Sequence, residues 1–326
     1  MSVTRHIAVM SASAAALALN CAGAAAQPYP HKPIRFITPN GLGGSTDLVA
    51  RSIAQKLSEA FGQQVVVDNR PGSGGILGAE IVARAPADGY TLLMGTAGNF
   101  AISPHLYKKL AYDPVRDFSP VTQISASAYM LLVHPAIGVR SVKDLVALAK
   151  AKPGALNYAS AGSGTGSHLS MELFRSIAGI NMVHIPYKGG MAGLTEMLAG
   201  QVQAMCNGIP SSLPLARANR VRALAVTTAR RSAAAPELPT LAEAGYPGAE
   251  SNSWAALMAP AGTPREVIAR LHAEVSRALA APDVRERLMA DGAEPVGSAP
   301  AELAAYIQTE WVKWGKVVKQ SGARAD

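Results

Sequence analysis

The chain has 326 residues, of which 49% are hydrophobic and 16% are charged, a balance typical of a globular protein with a sizeable core. The net charge of +8 is spread along the sequence, whereas nucleic-acid binding needs basic residues clustered in a patch or stripe. Length and charge therefore favour a globular protein of about two domains that does not bind nucleic acid.

The N-terminal segment has the pattern of a secretory signal peptide. Arg5 precedes an alanine-rich apolar segment at 7–19, and Ala24-Ala25-Ala26 supplies the small residues of a cleavage site. We therefore predict that residues 1–26 are removed during export. Cys21 leaves a lipid anchor open as an alternative. No later segment approaches the roughly 20 apolar residues that a membrane span needs.

The first part of the mature chain alternates predicted strands with predicted helices. Each strand is a short apolar run, and each is followed by a loop and a stretch with helical periodicity. The predicted strands cover 34–37, 65–67 and 91–94, and a long extended segment covers 121–133. This order is typical of an α/β domain with a mostly parallel sheet.

The second part of the chain repeats this order. Its predicted strands cover 156–159, 183–185, 202–206 and 223–227, and a strand at 254–258 returns toward the first unit. We therefore predict an α/β protein of two lobes, with a mostly parallel sheet in each lobe and a cleft between them. The predicted bounds are 27–125 with 252–326 for lobe 1, and 126–251 for lobe 2.

Two glycine-rich loops, at 38–47 and 160–167, each follow a predicted strand and open a predicted helix. Ser45, Thr46 and Asp47 are N-cap candidates, so the first helix is expected to start within its loop. Unpaired N–H groups and the helix dipole make such a start an anion site. Ligands of α/β sheets lie at the carboxyl ends of strands, so the two loops are expected to form a clamp for a carboxylate.

Two other glycine-rich segments, at 72–78 and 162–166, resemble known motifs but depart from them. Residues 72–78 miss the dinucleotide-binding order G-x-G-x-x-G, because the third glycine comes one residue late. Residues 162–166 lack the central serine of a nucleophile elbow. A secreted hydrolase that uses Ser163 or Ser167 with a distant histidine is the alternative function. The favoured function is binding without catalysis, and neither a cofactor nor a metal is expected.

Nine segments carry a further signal, and they follow one another along almost the whole mature chain. They are found at 29–34, 43–51, 69–72, 87–93, 112–114, 160–164 together with 168–169, 186–189, 224–227 and 259–264. Together they resemble the Bug-type extracytoplasmic solute receptors of tripartite tricarboxylate transporters. The resemblance implies a periplasmic binding protein (type II-like) whose two lobes close on a small carboxylate and deliver it to membrane transporter subunits.

The resemblance also implies which residues bind the ligand. In that family, the loop after the first strand and the loop opening the first helix of the second lobe hold the carboxylate through backbone N–H groups, partly by way of ordered water. Two further residues, at the end of a predicted strand, face the same cleft. The candidate ligand-binding residues are Gly41, Leu42, Gly43, Gly44, Ser45, Thr46, Asp47, Thr96, Asn99, Ser160, Ser163, Gly164, Thr165, Gly166, His168 and Asn207.

Two departures from the family pattern bear on specificity. Asn40-Gly41-Leu42 stands where relatives often have a proline together with an aromatic residue or an alanine. Without these residues, the first loop is expected to be looser. Asn207 stands where aspartate is common, which removes an anchor for an amino group. These differences favour a dicarboxylate, a tricarboxylate or an aromatic acid over an amino acid, and leave the individual acid open.

Overall fold

The computed structural model describes residues 28–290, 292–321 and 323. The chain divides into two compact units, Met1–His31 and Lys32–Asp326. In the first unit the described residues, 28–31, are irregular. The predicted signal peptide lies outside the described residues. All helices and strands given below belong to the second unit.

Ten strands in the described part of the chain form one mixed sheet. They are β1 (Ile34–Thr38), β2 (Val65–Asn69), β3 (Thr91–Thr96), β4 (Phe118–Val133), β5 (Asn157–Ser160), β6 (Val183–Pro186), β7 (Ala204–Gly208), β8 (Arg222–Val226), β9 (Asn252–Pro260) and β10 (Ala293–Pro295). The order across the sheet is β2-β1-β3-β9-β4-β7-β5-β6, and β8 and β10 both pair with β4. Every predicted strand is therefore confirmed, with shifts of a few residues at the ends.

The pairing divides the sheet into two halves. Strands β2-β1-β3 are parallel, and so are β7-β5-β6. Between them, β9 and the 16-residue β4 are antiparallel to their neighbours, and β4 pairs with strands of both halves. The predicted two-lobed α/β fold is confirmed, and β4 and β9 are its two crossing segments. The lobe bounds stay a prediction, because the sheet is continuous through the crossing.

The helices fill the connections between strands. They are α1 (Ser45–Phe61), α2 (Ile76–Ala83), α3 (Ser103–Leu106), α4 (Val142–Ala151), α5 (Gly166–Ala178), α6 (Gly190–Leu198), α7 (Ile209–Arg217), α8 (Arg265–Ala280), α9 (Pro282–Ala290) and α10 (Pro300–Ser321). A π-helical turn, Gly98–Ile102, precedes α3. None of the helices in the described ranges combines the length and the apolarity that crossing a membrane requires.

Both halves have a hydrophobic core, and β4 shows how the sequence builds it. Leu131 packs into the core that contains Tyr158 and Phe174, while its neighbours Met130 and Leu132 pack into the core on the other face. Side chains alternate between faces along a strand, so an uninterrupted apolar run indicates a strand buried on both sides. Full burial of each such side chain stabilises the fold by about 1.5–3 kcal/mol, which makes the strands a rigid support for the loops at their ends.

Candidate functional site

Four helices begin around one cavity. Helices α1, α5, α6 and α7 follow β1, β5, β6 and β7, respectively. The cavity wall includes the first helical residues Ser45, Gly166 and Gly190, and the N-cap Gly208. The first N–H groups of a helix have no acceptor within it, and they form the positive end of the helix dipole. Four such ends give the cavity a positive potential without a cationic side chain.

We call this cavity the inner chamber, and its volume is about 50 Å³. Its wall is made of small, hydroxyl-bearing and amide residues, and none of the described residues that line it carries a charged side chain. They are Asn40, Gly44, Ser45, Thr46, Gly74, Thr96, Ala97, Gly98, Tyr129, Ala161, Thr165, Gly166, Ser167, Gly190, Asn207, Gly208 and Ser253. The chamber thus has many hydrogen-bond donors in a space that suits a single small polar group.

A second cavity, the outer chamber, has a volume of about 370 Å³ and shares Asn40, Gly74, Ala161 and Thr165 with the inner one. The rest of its wall consists of prolines, glycines, two tyrosines, one serine and one lysine: Pro39, Pro71, Gly72, Gly75, Tyr107, Gly162, Ser163, Pro186, Tyr187, Lys188 and Gly189. The two chambers therefore adjoin.

Glycines keep the inner chamber open. A side chain at Gly166 would overlap the hydroxyl of Tyr129, and one at Gly190 would overlap the amide oxygen of Asn207. Neither glycine has the positive φ that would itself require glycine. The reason for glycine at these two positions is therefore the close approach of the chamber wall.

Asp47 holds the first loop in shape. Its side chain is 2% exposed, and it accepts hydrogen bonds from the Gly43 N–H at 3.0 Å, from Arg51 Nε at 3.0 Å and from Asn69 Nδ2 at 2.8 Å. Burial by itself raises the pKa of Asp47, but these hydrogen bonds and the charge of Arg51 outweigh it and hold the pKa below its usual value. The Asp47 carboxylate is thus committed to the loop and to Arg51.

The second loop is shaped by side-chain hydrogen bonds at the start of α5. Thr165 is the N-cap: its hydroxyl oxygen accepts from the His168 N–H at 3.3 Å and donates to the Gly162 carbonyl at 2.7 Å. His168 Nδ1 accepts from the Gly164 N–H at 3.2 Å. The hydroxyl of Ser167 donates to the carbonyl of Cys206 on β7. The shape of the loop is therefore fixed by hydrogen bonds within the protein.

Loops from the two halves of the sheet touch around the chambers. A Cβ on Gly74 would lie 2.5 Å from the carbonyl oxygen of Ser163, and one on Gly41 would lie 2.7 Å from that of Lys188. Deeper in the cleft, the hydroxyls of Ser45 and Ser211 are 3.0 Å apart. The cleft is therefore closed in this structure.

Asn207 contributes a buried amide to the wall of the inner chamber. It is 4% exposed, and its Nδ2 donates to the hydroxyls of Ser211 at 2.9 Å and Ser212 at 3.0 Å. These bonds fix the orientation of the amide, so that its oxygen faces Gly190. Within the described ranges, no group of three or more His, Cys, Asp or Glu side chains is placed to hold a metal ion.

The structure brings about half of the predicted site residues to the chamber walls. Those that line a chamber are Gly44, Ser45, Thr46, Thr96, Ser163, Thr165, Gly166 and Asn207. The others lie in the two loops or in the elements next to the chambers, without lining a chamber: Gly41, Leu42, Gly43, Asp47, Asn99, Ser160, Gly164 and His168. Leu42 is 67% exposed, and Asn99 supports Thr96 by accepting its N–H at 2.8 Å. As ligand contacts, all of these residues remain predictions.

Sequence reasoning did not include several residues of the inner chamber. Tyr129 and Ser253 come from β4 and β9. They line the chamber because these two strands pair with each other at that place in the sheet. Gly190 and Gly208 stand where a strand passes into a helix, as Gly44 and Gly166 do. A glycine at each strand-to-helix junction is the signal that identifies them.

A closed two-lobed α/β fold with a donor-lined chamber between its lobes defines a solute-binding protein. Residues 49–323 match the family described as the tripartite tricarboxylate transporter family receptor. The chain is 37% identical over 327 residues to the protein BugT of Bordetella pertussis, and the match covers 99% of each chain. The chain therefore belongs to this receptor family, which confirms the resemblance drawn from the sequence.

Solved structures agree with this assignment. The fold matches R. palustris Rpa4515 with adipate at a TM-score of 0.89 and 39% identity, covering 91% of this chain and 100% of that one. It matches MatC from Rhodopseudomonas palustris with bound malate at a TM-score of 0.86 and 35% identity, covering 89% and 100%. The protein is an extracytoplasmic solute-binding receptor of this transporter family.

Proposed function

We propose that this receptor captures a non-amino carboxylic acid, with one carboxylate in the inner chamber, and delivers it to the membrane subunits of its transporter. The periplasm is the proposed location, after removal of residues 1–26. The observation that carries the proposal is the convergence of four helix starts on a chamber whose described wall has no charged side chain. The adipate and malate bound by the two structural neighbours support a carboxylate ligand.

The inner chamber offers paired donors from both halves of the protein. In the described structure no acceptor bonds the backbone N–H groups of Ser45 and Thr46 on one side, or of Gly166 and Ser167 on the other. Hydrogen bonds from N–H groups to a carboxylate are about twice as strong as those between neutral groups. A carboxylate shared by the two helix starts would hold the lobes together.

The remainder of the ligand would occupy the outer chamber. Tyr107 and Tyr187 line it, and Lys188 is the only cationic side chain among the described residues that line either chamber. No acidic side chain among them would pair with an ammonium group, since Asn207 supplies an amide instead. We therefore favour a dicarboxylate, a tricarboxylate or an aromatic acid over an amino acid.

We also propose that the protein catalyses no reaction. A serine nucleophile needs its hydroxyl to bond a general base, usually histidine. The hydroxyl of Ser167 donates instead to the carbonyl of Cys206, which leaves its proton engaged away from any base. Prolonged incubation of the purified protein with esters and amides of candidate acids checks this point: we expect no hydrolysis above the uncatalysed rate, and turnover would favour the hydrolase.

The carboxylate itself is tested with matched pairs of acids and primary amides, such as benzoate with benzamide and adipate with adipamide. At a ligand concentration about 100 times Kd, the acid should stabilise the folded protein by about 2.7 kcal/mol, measured by thermal unfolding. The amide should lose most of this effect, because hydrogen bonds to a charged group contribute about 1.5–3 kcal/mol each. Equal protection by both members of a pair would contradict an anion site.

Asn207→Asp should shift the ligand preference of the inner chamber from a dicarboxylate toward its α-amino analogue. A buried carboxylate at this wall would repel a bound carboxylate, and at about 4 Å and an effective dielectric constant of 20 this costs about 4 kcal/mol. We expect binding of a dicarboxylate such as succinate to weaken more than tenfold, while its α-amino analogue aspartate gains relative to it. Isothermal titration calorimetry gives both constants.

The matched control is Asn181→Asp, because it makes the same change of charge at an exposed position that lines neither chamber. Its dissociation constants should equal those of the unmodified protein. If Asn207→Asp also leaves the ratio of the dissociation constants for succinate and aspartate unchanged, then residue 207 does not discriminate between ligands with and without an amino group.

A further inference from the structure

Three aromatic rings are stacked behind the second loop. The imidazoles of His168 on α5 and His184 on β6 are parallel within 7°, with ring centroids 4.0 Å apart. The ring of Tyr158 on β5 is also stacked with both imidazoles, with its centroid 4.9 Å from that of His184 and 6.5 Å from that of His168. His168 is 3% exposed. Two titratable rings are thus held face to face at the base of the loop.

Both imidazoles are connected to N–H groups of that loop. His168 Nδ1 accepts directly from the Gly164 N–H at 3.2 Å. His184 Nε2 lies 2.7 Å from the hydroxyl of Ser160, and this hydroxyl oxygen accepts from the Gly162 N–H at 3.1 Å. Because a backbone N–H only donates, Nδ1 of His168 must carry a lone pair in this arrangement.

We propose that His168 is a positioning residue, whose neutral imidazole holds the second loop in its binding shape and whose protonation releases the loop and the ligand at acidic pH. The inference deepens the proposed carboxylate binding and rests on it. In the chambers described above, His168 contacts the loop and lines neither of them. Its influence on the ligand is therefore through Gly164 and the start of α5.

Protonation removes the acceptor and adds a repulsion. A protonated Nδ1 is itself a donor and would face the N–H of Gly164, which is also a donor. The hydrogen bond between them would therefore be lost. Two imidazolium rings stacked at this distance would also repel each other. Histidine is the side chain that takes up a proton most readily near neutral pH, so the loop is expected to loosen as the pH falls from 7.5 to 5.5.

The other titratable groups around the stack keep their state in this range. Burial raises the pKa values of the phenols of Tyr129 and Tyr158, and it raises the pKa of the Cys206 thiol to about 12. These groups lie on β4, β5 and β7, which pack against α5. They therefore stay neutral while the imidazoles titrate.

The charged groups near the stack are already paired. Glu172, on α5 itself, accepts from the hydroxyl of Tyr158 and forms an ion pair with Arg175. Glu310 of α10, which packs against α5, accepts from the indole N–H groups of Trp254 at 3.1 Å and Trp314 at 2.9 Å. The imidazoles are thus the groups at the base of this loop whose protonation would change its hydrogen bonds.

The test compares His168→Asn and His168→Leu with the unmodified protein. Asparagine offers an oxygen to the Gly164 N–H and does not titrate, whereas leucine offers no acceptor. Dissociation constants for benzoate, malate and adipate are measured at pH 7.5, 6.5 and 5.5, and each is divided by the value for His168→Asn at the same pH. This ratio cancels the ionisation of the ligand.

We expect the ratio to rise from pH 7.5 to pH 5.5, because a protonated His168 no longer accepts the hydrogen bond of the Gly164 N–H. His168→Leu should bind weakly at every pH. His134→Asn is the matched control, because His134 Nδ1 also accepts a backbone N–H at 3.2 Å, from Ala136 in an exposed turn. The pH profile of this control should equal that of the unmodified protein.

A ligand-free measurement separates the two hypotheses. In NMR spectra of the unmodified protein, the Gly164 amide should shift with the titration of the His168 ring, whether or not any acid binds. If none of the acids binds but this titration is seen, carboxylate binding fails and the positioning role stands. A constant ratio between pH 7.5 and pH 5.5, or a Gly164 amide that ignores the imidazole, overturns the inference.

Discussion

Gly166→Ala should raise the dissociation constant for the bound carboxylate at least about 100-fold, which corresponds to about 2.7 kcal/mol. The added methyl group overlaps the hydroxyl of Tyr129 and projects into a chamber of about 50 Å³. Tyr129 is buried, so it has little room to move away. The helix itself tolerates alanine, because Gly166 lies in its first turn with ordinary φ.

The matched control for this variant is Gly179→Ala at the C-terminal end of the same helix. Gly179 has φ of 62°, and no atom lies within 4 Å of the Cβ it would acquire. Strain at this position should lower the free energy of unfolding by about 1 kcal/mol and leave affinity unchanged. Calorimetric titration of both variants decides the matter: a Gly166→Ala protein that is folded and binds normally would place the carboxylate elsewhere.

Asp47→Asn should lower the free energy of unfolding at neutral pH by about 1.5–3 kcal/mol, the scale of hydrogen bonds to a charged group. The amide keeps one acceptor oxygen for three donors, those of Gly43, Arg51 and Asn69. Its own NH₂ group then faces one of these donors. We expect the first loop to become less ordered as well, because Asp47 accepts the hydrogen bond of the Gly43 N–H in that loop.

The stability difference for this variant should depend on pH. The pKa of Asp47 is lower in the folded protein than its usual value, because the hydrogen bonds and Arg51 outweigh the effect of burial. Its contribution is therefore complete above the unfolded-state pKa of about 3.9, and it is lost as pH falls through the folded-state pKa. Urea unfolding between pH 7 and pH 3 measures the difference.

The control is Asp88→Asn, because the Asp88 carboxylate forms an exposed ion pair with Lys32 at 3.4 Å. Exposed pairs contribute about 0–1 kcal/mol, so this variant should change little at any pH. If Asp47→Asn matches it at pH 7, then Asp47 does not hold the first loop.

The strands followed from the sequence because each is a short apolar run with loops on both sides. Helix α7 did not, since Pro210 and Pro214 argue against a helix at 209–217. Pro210 lies in the first turn, where its missing N–H has no partner to lose. The three-residue β10 was missed because its pairing with β4 depends on a contact far along the chain.

The glycine pattern located both loops, but it did not identify the residues that β4 and β9 contribute to the inner chamber. Tyr129 and Ser253 enter the inner chamber through the register of β4 with β9, which pairs Ser127 with Ser253 across a long sequence separation. No local pattern carries such a register. From the sequence, Asp47 was a candidate both for lining the cleft and for capping the first helix. The cap is Gly44, and Asp47 lies at the third helical position, bonded back to the loop.

The most direct test of carboxylate capture is a crystal structure of the complex with the acid that gives the largest thermal shift. We expect the carboxylate oxygens to lie about 2.7–3.2 Å from the N–H groups of Ser45 or Thr46 and of Gly166 or Ser167, or one ordered water away. The rest of the ligand should extend into the outer chamber. A carboxylate held outside the inner chamber, with Lys188 or another cationic side chain as its principal partner, would contradict the account.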